Sequence, residues 1–320
     1  MTRLSVALCT FNGERFLGEQ LRSLAAQSRP PDELIVCDDA STDSTPDLLE
    51  HFSRVCPFPI RIQRNTANLG IAGNFTQAIG LCTGDVIFTC DQDDVWRADK
   101  LAAIECELIR RPEAGLVFSD ALRIDEYGTP LADSLWQALA IHSRELARLE
   151  FGDGLKTLCR RNIVTGATLA FRAVWRDLVL PVPAGWVHDA WIALLISAVA
   201  PIDALREPLI GYRQHASQQI GEQRLSLFEQ YRRARDMDEE TFRGTAARFA
   251  VARDRLAGWP KISRENLKIV EDKVRHTEAR ASMREPGTWR LPRVVREFWS
   301  GRYTRYSRGW KAAAQDLFLP

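Results

Sequence analysis

Short apolar runs that break off into polar clusters recur along the first part of the chain. LSVALC (4–9) stops at Thr10 and Asn12, LIVC (34–37) at Asp38 and Asp39, and VIFTC (86–90) at Asp91, Gln92, Asp93 and Asp94, whereas FPIRIQR (58–64) alternates apolar and polar positions. Continuous apolar runs of this length read as strands buried on both faces, and the alternating run as a strand with one wet face. Between them the period changes. Phe16, Leu17, Leu21, Leu24 and Ala25 share one helical face, as do Leu48, Leu49 and Phe52, and residues 65–75 read as a loop before a short helix ending near Leu81. A β-α-β-α-β-α-β succession predicts an α/β fold, a mainly parallel sheet with right-handed crossovers and helices on both faces.

Further along, Leu101, Ile104 and Leu108 mark a helix over 97–110 that Pro112 ends, and residues 115–131 read as one or two strands with a turn at Tyr127-Gly128. Residues 132–164 carry no decisive period. GATLAF (166–171) reads as a strand, VHDAWIALLISAVA (187–200) as an apolar helix with Asp189 at its start, and EPLIGYRQH (207–215) as a last strand ending in His215. From about residue 221 the pattern is charged helix, with Leu225, Phe228, Tyr231, Leu267, Val270 and Val274 at helical spacings. Two domains are therefore expected, 1–220 and a mainly helical 221–320.

Composition supports the division. The chain of 320 residues has a net charge of only +1, but residues 221–320 hold 22 Lys and Arg against 14 Asp and Glu, so the excess of basic residues lies in the C-terminal part. The seven cysteines are scattered, with no C-x-x-C spacing, which points to a reducing compartment and away from a zinc or redox motif. The longest apolar segment, 190–200, is far shorter than the roughly 20 residues that span a bilayer. A cytoplasmic protein, peripheral on the inner face of the membrane at most, is the expectation.

The candidate chemistry lies where the strands stop. In parallel α/β sheets ligands bind beyond the carboxyl ends of the strands, and Thr10, Asn12, Asp38, Asp39 and Asp91 to Asp94 all fall there. Crowded carboxylates repel one another, a cost that a divalent, oxygen-seeking cation removes. An acidic, solvated turn is the competing reading of Asp91 to Asp94, and plain helix capping that of Asp38 and Asp39. No strand is followed by a glycine-rich phosphate loop, so binding a diphosphate here would need a metal.

Taken together, SVALCTFNGERFLGEQLRSLAAQS, ELIVCDDASTDST, NLGIAGNFTQAI, TGDVIFTCDQDDVW, HDAW and YRQH with Gln218 resemble the inverting family 2 glycosyltransferases of the GT-A fold, over roughly residues 3–218. DQDDVW, HDAW and YRQHASQQIG resemble most the rhamnosyltransferase-like branch used in polysaccharide assembly. The resemblance implies a metal-dependent transfer of a sugar from a dTDP- or UDP-sugar donor to a glycan or lipid-linked glycan acceptor. Residue by residue it implies that Thr10, Phe11, Asn12 and Glu14 line the nucleotide pocket, Phe11 standing where the family often has Tyr. Asp39 would accept the nucleobase imide N–H with Asp38 in support, and Asn68 and Gly70 would border the nucleoside or diphosphate. Asp91 would face the ribose or the metal, Asp93 would bridge through Mg²⁺ or Mn²⁺ to the diphosphate, and His215 would lie near the metal, a structural role being its alternative. Asp189 matches the catalytic base, against the reading of a helix-dipole carboxylate, and His188 departs from the acidic residue usual before it. Trp96, Trp186 and Trp191 serve as an acceptor platform or as core. A non-catalytic sugar-nucleotide-binding or membrane-scaffold protein that kept the pocket is the rival class.

Residues 285–311 place Arg290, Arg293, Arg296, Arg302, Arg305, Arg308 and Lys311 among Trp289, Phe298, Trp299, Tyr303, Tyr306 and Trp310. Such a stretch suits an anionic membrane surface or packing back on the catalytic domain; nucleic acid is not the expected partner.

Overall fold

The computed structural model describes residues 2–215, 237–285 and 289–318. Two compact units divide the chain: Met1–Gly152 with Ile163–Glu222, and Asp153–Asn162 with Gln223–Pro320. The expectations for Leu225, Phe228, Tyr231 and Gln218 lie outside the described residues.

The first unit is built on one sheet. Strands β1 (Leu4–Thr10), β2 (Glu33–Asp38), β3 (Ile60–Arg64) and β4 (Val86–Cys90) run parallel in the order β3-β2-β1-β4, with helices α1 (Leu17–Ala25), α2 (Thr45–Val55) and α3 (Gly70–Leu81) as crossovers. All of β1 and β4 is buried, as their unbroken apolar runs require, and β3 is the half-wet edge. After the two-residue β5 (Val95–Trp96) and helix α4 (Lys100–Arg110) come β6 (Leu116–Ile124) and β7 (Pro130–Ser134). The stretch without a clear period, 132–164, forms three short helices, α5 (Leu135–Ala138), α6 (Ser143–Glu150) and α7 (Gly154–Arg160), the last belonging to the second unit. Strand β8 (Leu169–Arg172) enters antiparallel between β4 and β6. Helix α8 (Arg176–Val179) and the apolar helix α9 (His188–Ser197) follow, and β9 (Ile202–Arg213) pairs parallel with β6 and antiparallel with β5.

Three expectations shift. Only Leu169 onward of GATLAF is strand, Gly166–Thr168 being a 3₁₀ turn. The last strand starts earlier and ends at Arg213, just short of His215. Helix α3 starts inside the expected loop 65–75, because its first free N–H groups are capped from another strand end: Asp39 accepts from Leu69 N at 2.8 Å and from Gly70 N at 2.9 Å. Gly70 has φ 72°, a conformation that costs glycine little.

The second unit is helical: α10 (Glu239–Ala257), α11 (Arg264–Ser282), α12 (Arg290–Trp299), α13 (Arg302–Tyr306) and α14 (Trp310–Phe318). Met283, Val294, Tyr303, Ala312 and Ala313 make its core, beside a fully buried Asp316 that accepts from Arg280, Arg284 and the Tyr303 hydroxyl. Among the described residues no helix is long and apolar enough to cross a membrane.

Candidate functional site

The β1–α1 and β2–α2 loops are fastened to each other by side-chain to backbone bonds. Asn12 N donates to Ser41 Oγ at 2.9 Å and Asn12 Oδ1 accepts from Thr42 N at 2.9 Å. Gly13 N donates to Thr45 Oγ1 (2.8 Å), Glu14 N to Asp43 Oδ2 (3.0 Å), and Glu14 Oε2 accepts from Ser44 N (2.9 Å). Behind them Thr10 Oγ1 and Ser41 Oγ both donate to Asp38 Oδ1, at 2.9 and 2.5 Å, in a buried position. Asp38, Asn12 and Glu14 thus shape the rim by holding backbone. Asp39 is also buried and accepts three N–H groups, from Asn65 Nδ2, Leu69 N and Gly70 N. A carboxylate has about four acceptor positions, so one is left over. Asn68 Oδ1 accepts from Gly70 N at 2.9 Å, ordering the same turn.

Gln92, a residue the motif reading passed over, joins the acidic turn to the first loop. Its Oε1 accepts from Phe11 N at 2.8 Å and its Nε2 donates to Phe11 O at 3.0 Å. A Cβ on Gly13 would come within 2.2 Å of Gln92 Oε1, so a glycine is what lets the amide lie there.

The acidic cluster separates into unlike members. Asp93 meets His215, Nε2 to Oδ2 at 2.8 Å, and the imidazole lies 4.7 Å from the Phe16 ring. Asp94 is buried, accepts from Arg213 N at 3.1 Å, and its other oxygen has no hydrogen-bond partner among the described residues. Burial, with Asp93 and Asp91 adding to it, pushes its carboxyl well up. Asp91 is pushed up to about 7, by burial first and then by the charges of Asp93 and Asp189, with Lys100 opposing. Lys100 itself is fully buried, its Nζ donating to Ala167 O at 2.7 Å and lying 3.5 Å from the centre of the Trp96 ring. Burial draws its amine down to about 7 against the pull of Cys90, Asp94 and Asp91. Arg213 completes the setting: buried, it donates from Nε to Asp93 O at 2.8 Å and pairs with Glu19. Lys100 carries no sequence signal beyond its type and is recognisable only by the burial the fold imposes, whereas Arg213 lies within the YRQH motif, which gives it no role of its own.

Asp189 opens α9, where Gly166 N donates to its Oδ2 at 2.9 Å. Gly166 O in turn accepts from Thr89 Oγ1 on β4 at 2.6 Å, which fixes the position of Asp189 relative to the acidic turn. His188 faces inward, stacked 3.7 Å from Phe75, with neither ring nitrogen hydrogen-bonded among the described residues, and burial drives it down to about 3. It is a neutral core residue. Trp96 and Trp191 are buried too, the Trp191 indole donating to Val179 O at 2.7 Å, so core packing accounts for both; Trp186 is half-buried against Trp191.

The donor set suits a hard cation: Asp91 and Asp93 offer carboxylate oxygens, and the carboxyl of Asp91 is held in its charged form only at a cost that a cation would remove. Among the described residues no three His, Cys, Asp or Glu side chains converge into a complete ligand group. Mg²⁺-type ions commonly take one or two carboxylates and complete their shell with phosphate and water oxygens. With its Nε2 turned to Asp93, His215 orients that carboxylate.

Residues 5–159 match the family model described as Glycosyl transferase family 2. That stretch, just under half of the chain, is similar to the family 2 glycosyltransferases. An uncharacterized protein of Mycobacterium tuberculosis is 28% identical over 216 residues, 67% of this chain and 59% of the relative, so the match spans less than two thirds of that relative's length. The dTDP-rhamnosyl transferase RfbG of Shigella flexneri is 38% identical over 104 residues, 31% of this chain and 36% of RfbG. Among solved structures, S. aureus TarS 1-349 in complex with UDP-GlcNAc superposes with TM-score 0.60 at 14% identity, covering 98% of this chain and 88% of that one. The mannosyltransferase PcManGT of Pyrobaculum calidifontis, in complex with GDP-Man and Mn²⁺, gives 0.53 at 19% identity, covering 98% and 84%. The likeness to these structures shows the GT-A architecture: a curled, mostly parallel sheet flanked by helices, followed by C-terminal helices.

Proposed function

We propose that the protein is a metal-dependent inverting glycosyltransferase that moves a hexose from a nucleoside diphosphate donor to an acceptor hydroxyl. One observation carries the reading. The β1 loop, the acidic turn, Asp189 and His215 are tied together at the carboxyl edge of the sheet by the Phe11–Gln92, Asp93–His215 and Thr89–Gly166–Asp189 contacts. In this reading the fastened loops and Asp39 hold the nucleoside, and Asp39's remaining acceptor position meets an N–H flanked by carbonyls, as in uracil or thymine. Mg²⁺ or Mn²⁺ held by Asp91 and Asp93 would neutralise charge on the departing diphosphate. Asp189, steadied by the Gly166 N–H, takes the acceptor proton as its oxygen attacks opposite the leaving group. One base suffices for a single displacement with inversion. The likeness to RfbG favours a dTDP donor and rhamnose as the sugar, with a glycan or lipid-linked glycan in polysaccharide assembly as acceptor.

The test is incubation of the full chain with Mg²⁺ or Mn²⁺ and a panel of dTDP- and UDP-sugars, reading nucleoside diphosphate release. Release that requires the metal and is lost in Asp189→Asn supports the enzyme. No release from any donor, with or without glycan acceptors, leaves the non-catalytic sugar-nucleotide-binding reading in its place.

A further inference from the structure

Helix α12 wears three different faces. Val294 and Glu297 point into the helical unit, Glu297 accepting from Arg302 and meeting His276 at 2.8 Å. At about 100° per residue, Leu291, Val295, Phe298 and Trp299 fall together in an exposed arc roughly 100° wide. Their exposures are 48, 43, 50 and 84%, and Trp289, just before the helix, is 78% exposed. Arg296 and Arg293 occupy the strip between that arc and the buried face. A helix on the outside of a globular unit ordinarily turns polar residues outward; here the outward arc is apolar and only its border is charged. The neighbouring helix α14 adds exposed Trp310 and Phe318.

Arg296, Arg305 and Arg308 are exposed and form no ion pair with an acidic side chain among the described residues. The aromatic residues sort clearly: Tyr303 and Tyr306 are core, whereas Trp289, Phe298, Trp299 and Trp310 face outward. An exposed apolar arc bordered by arginines and ended by tryptophans fits the boundary of a bilayer, where indoles favour the headgroup level and basic side chains meet anionic lipid. A second copy of the chain fits less well, since a two-fold contact would bring the arginine strips of the two copies together.

We propose that α12, with the tryptophans at its ends, docks the protein in the plane of an anionic lipid surface. The proposal concerns the helical unit alone and does not depend on which donor the first unit uses. It is tested by flotation of the full chain with phosphatidylcholine vesicles, with and without phosphatidylglycerol. Flotation is expected only with the anionic vesicles, with release as salt rises, and at least a tenfold lower partition for the double variant Phe298→Ser, Trp299→Ser. That variant should keep its circular dichroism spectrum and melting temperature, since both side chains are exposed. If it fails to fold, Arg296→Glu with Arg305→Glu replaces it, again with loss of flotation expected. The proposal is overturned if the wild type does not float, floats equally with neutral vesicles, or floats undiminished in the folded variants. It is likewise overturned if the serine variant instead dissociates a dimer, or if the wild type binds oligonucleotides in preference to vesicles.

Discussion

The side-chain amide of Gln92 lies along the backbone of Phe11 and satisfies both its N–H and its C=O, at 2.8 and 3.0 Å. The middle residue of the acidic turn is thereby the clasp on the first loop, across 81 positions of sequence. Gln92→Leu leaves that peptide unit without its partners. We expect a loss of about 1–3 kcal/mol in urea unfolding, with weaker donor binding. Gly13→Ala, which drives a methyl into the amide, should act in the same direction. Unchanged donor affinity in both variants would show the clasp to be dispensable for the pocket.

Asp39 caps α3 from a neighbouring strand end. Asp39→Ala strands the Leu69 N–H and leaves Gly70 N with Asn68 Oδ1 alone, so a cost of about 1–3 kcal/mol is expected. Hydrogen exchange should locate the damage: amides in the first turn of α3 speed up before those of α1. Uniform acceleration through the unit would contradict a capping role.

Within the proposed reaction, Asp189 and Asp93 should fail differently. Asp189→Asn is expected to keep donor affinity while turnover falls by about 10²–10⁴. Asp93→Asn should instead abolish the dependence of donor affinity on added Mg²⁺ or Mn²⁺, measured by titration calorimetry with and without chelator. The reverse pattern would count against both roles.

His188 gives the acid limb of the stability profile a recognisable slope. Its folded value is drawn from 6.5 down to about 3 by burial, so as pH falls through this window the unfolded chain takes a proton that the folded protein refuses. Stability contributed here is present above about 6.5 and is lost on acidification, by roughly 2 kcal/mol between pH 6.5 and about 5. His188→Phe can keep the stack on Phe75 and should flatten that part of the curve. Denaturant midpoints at the two pH values decide it.

Where strands end was plain in the chain, because a buried parallel strand must be apolar throughout and the polar residue that follows marks its carboxyl end. Asp38, Asp39 and Asp91 were visible on that account, whereas Asp189, at the start of a helix, stood out only through the HDAW resemblance. What escaped was decided by partners distant in sequence. Helix α3 begins at Gly70 because Asp39 waits 31 residues earlier, and Asn68, the local residue that also accepts from Gly70 N, does not by itself announce it. Lys100 looks like any helix-surface lysine until Ala167 O and the Trp96 ring are seen around it. Trp191 offered an apolar body and a polar edge that fit a sugar platform as well as a core, and its full burial with the bond to Val179 O separates the two. Residues 132–164 were illegible because helices as short as Leu135–Ala138 complete too few turns to show a period.

The stitching of Asn12, Gly13 and Glu14 to Ser41 through Thr45 has a kinetic meaning. In the proposed reaction, two loops that would each lose conformational freedom on receiving a nucleotide have already lost it in folding, so capture requires little ordering of the rim. Association with a donor should then be a single fast step limited by encounter, and the lifetime of the complex, rather than the speed of its formation, should be what substitutions in these loops change.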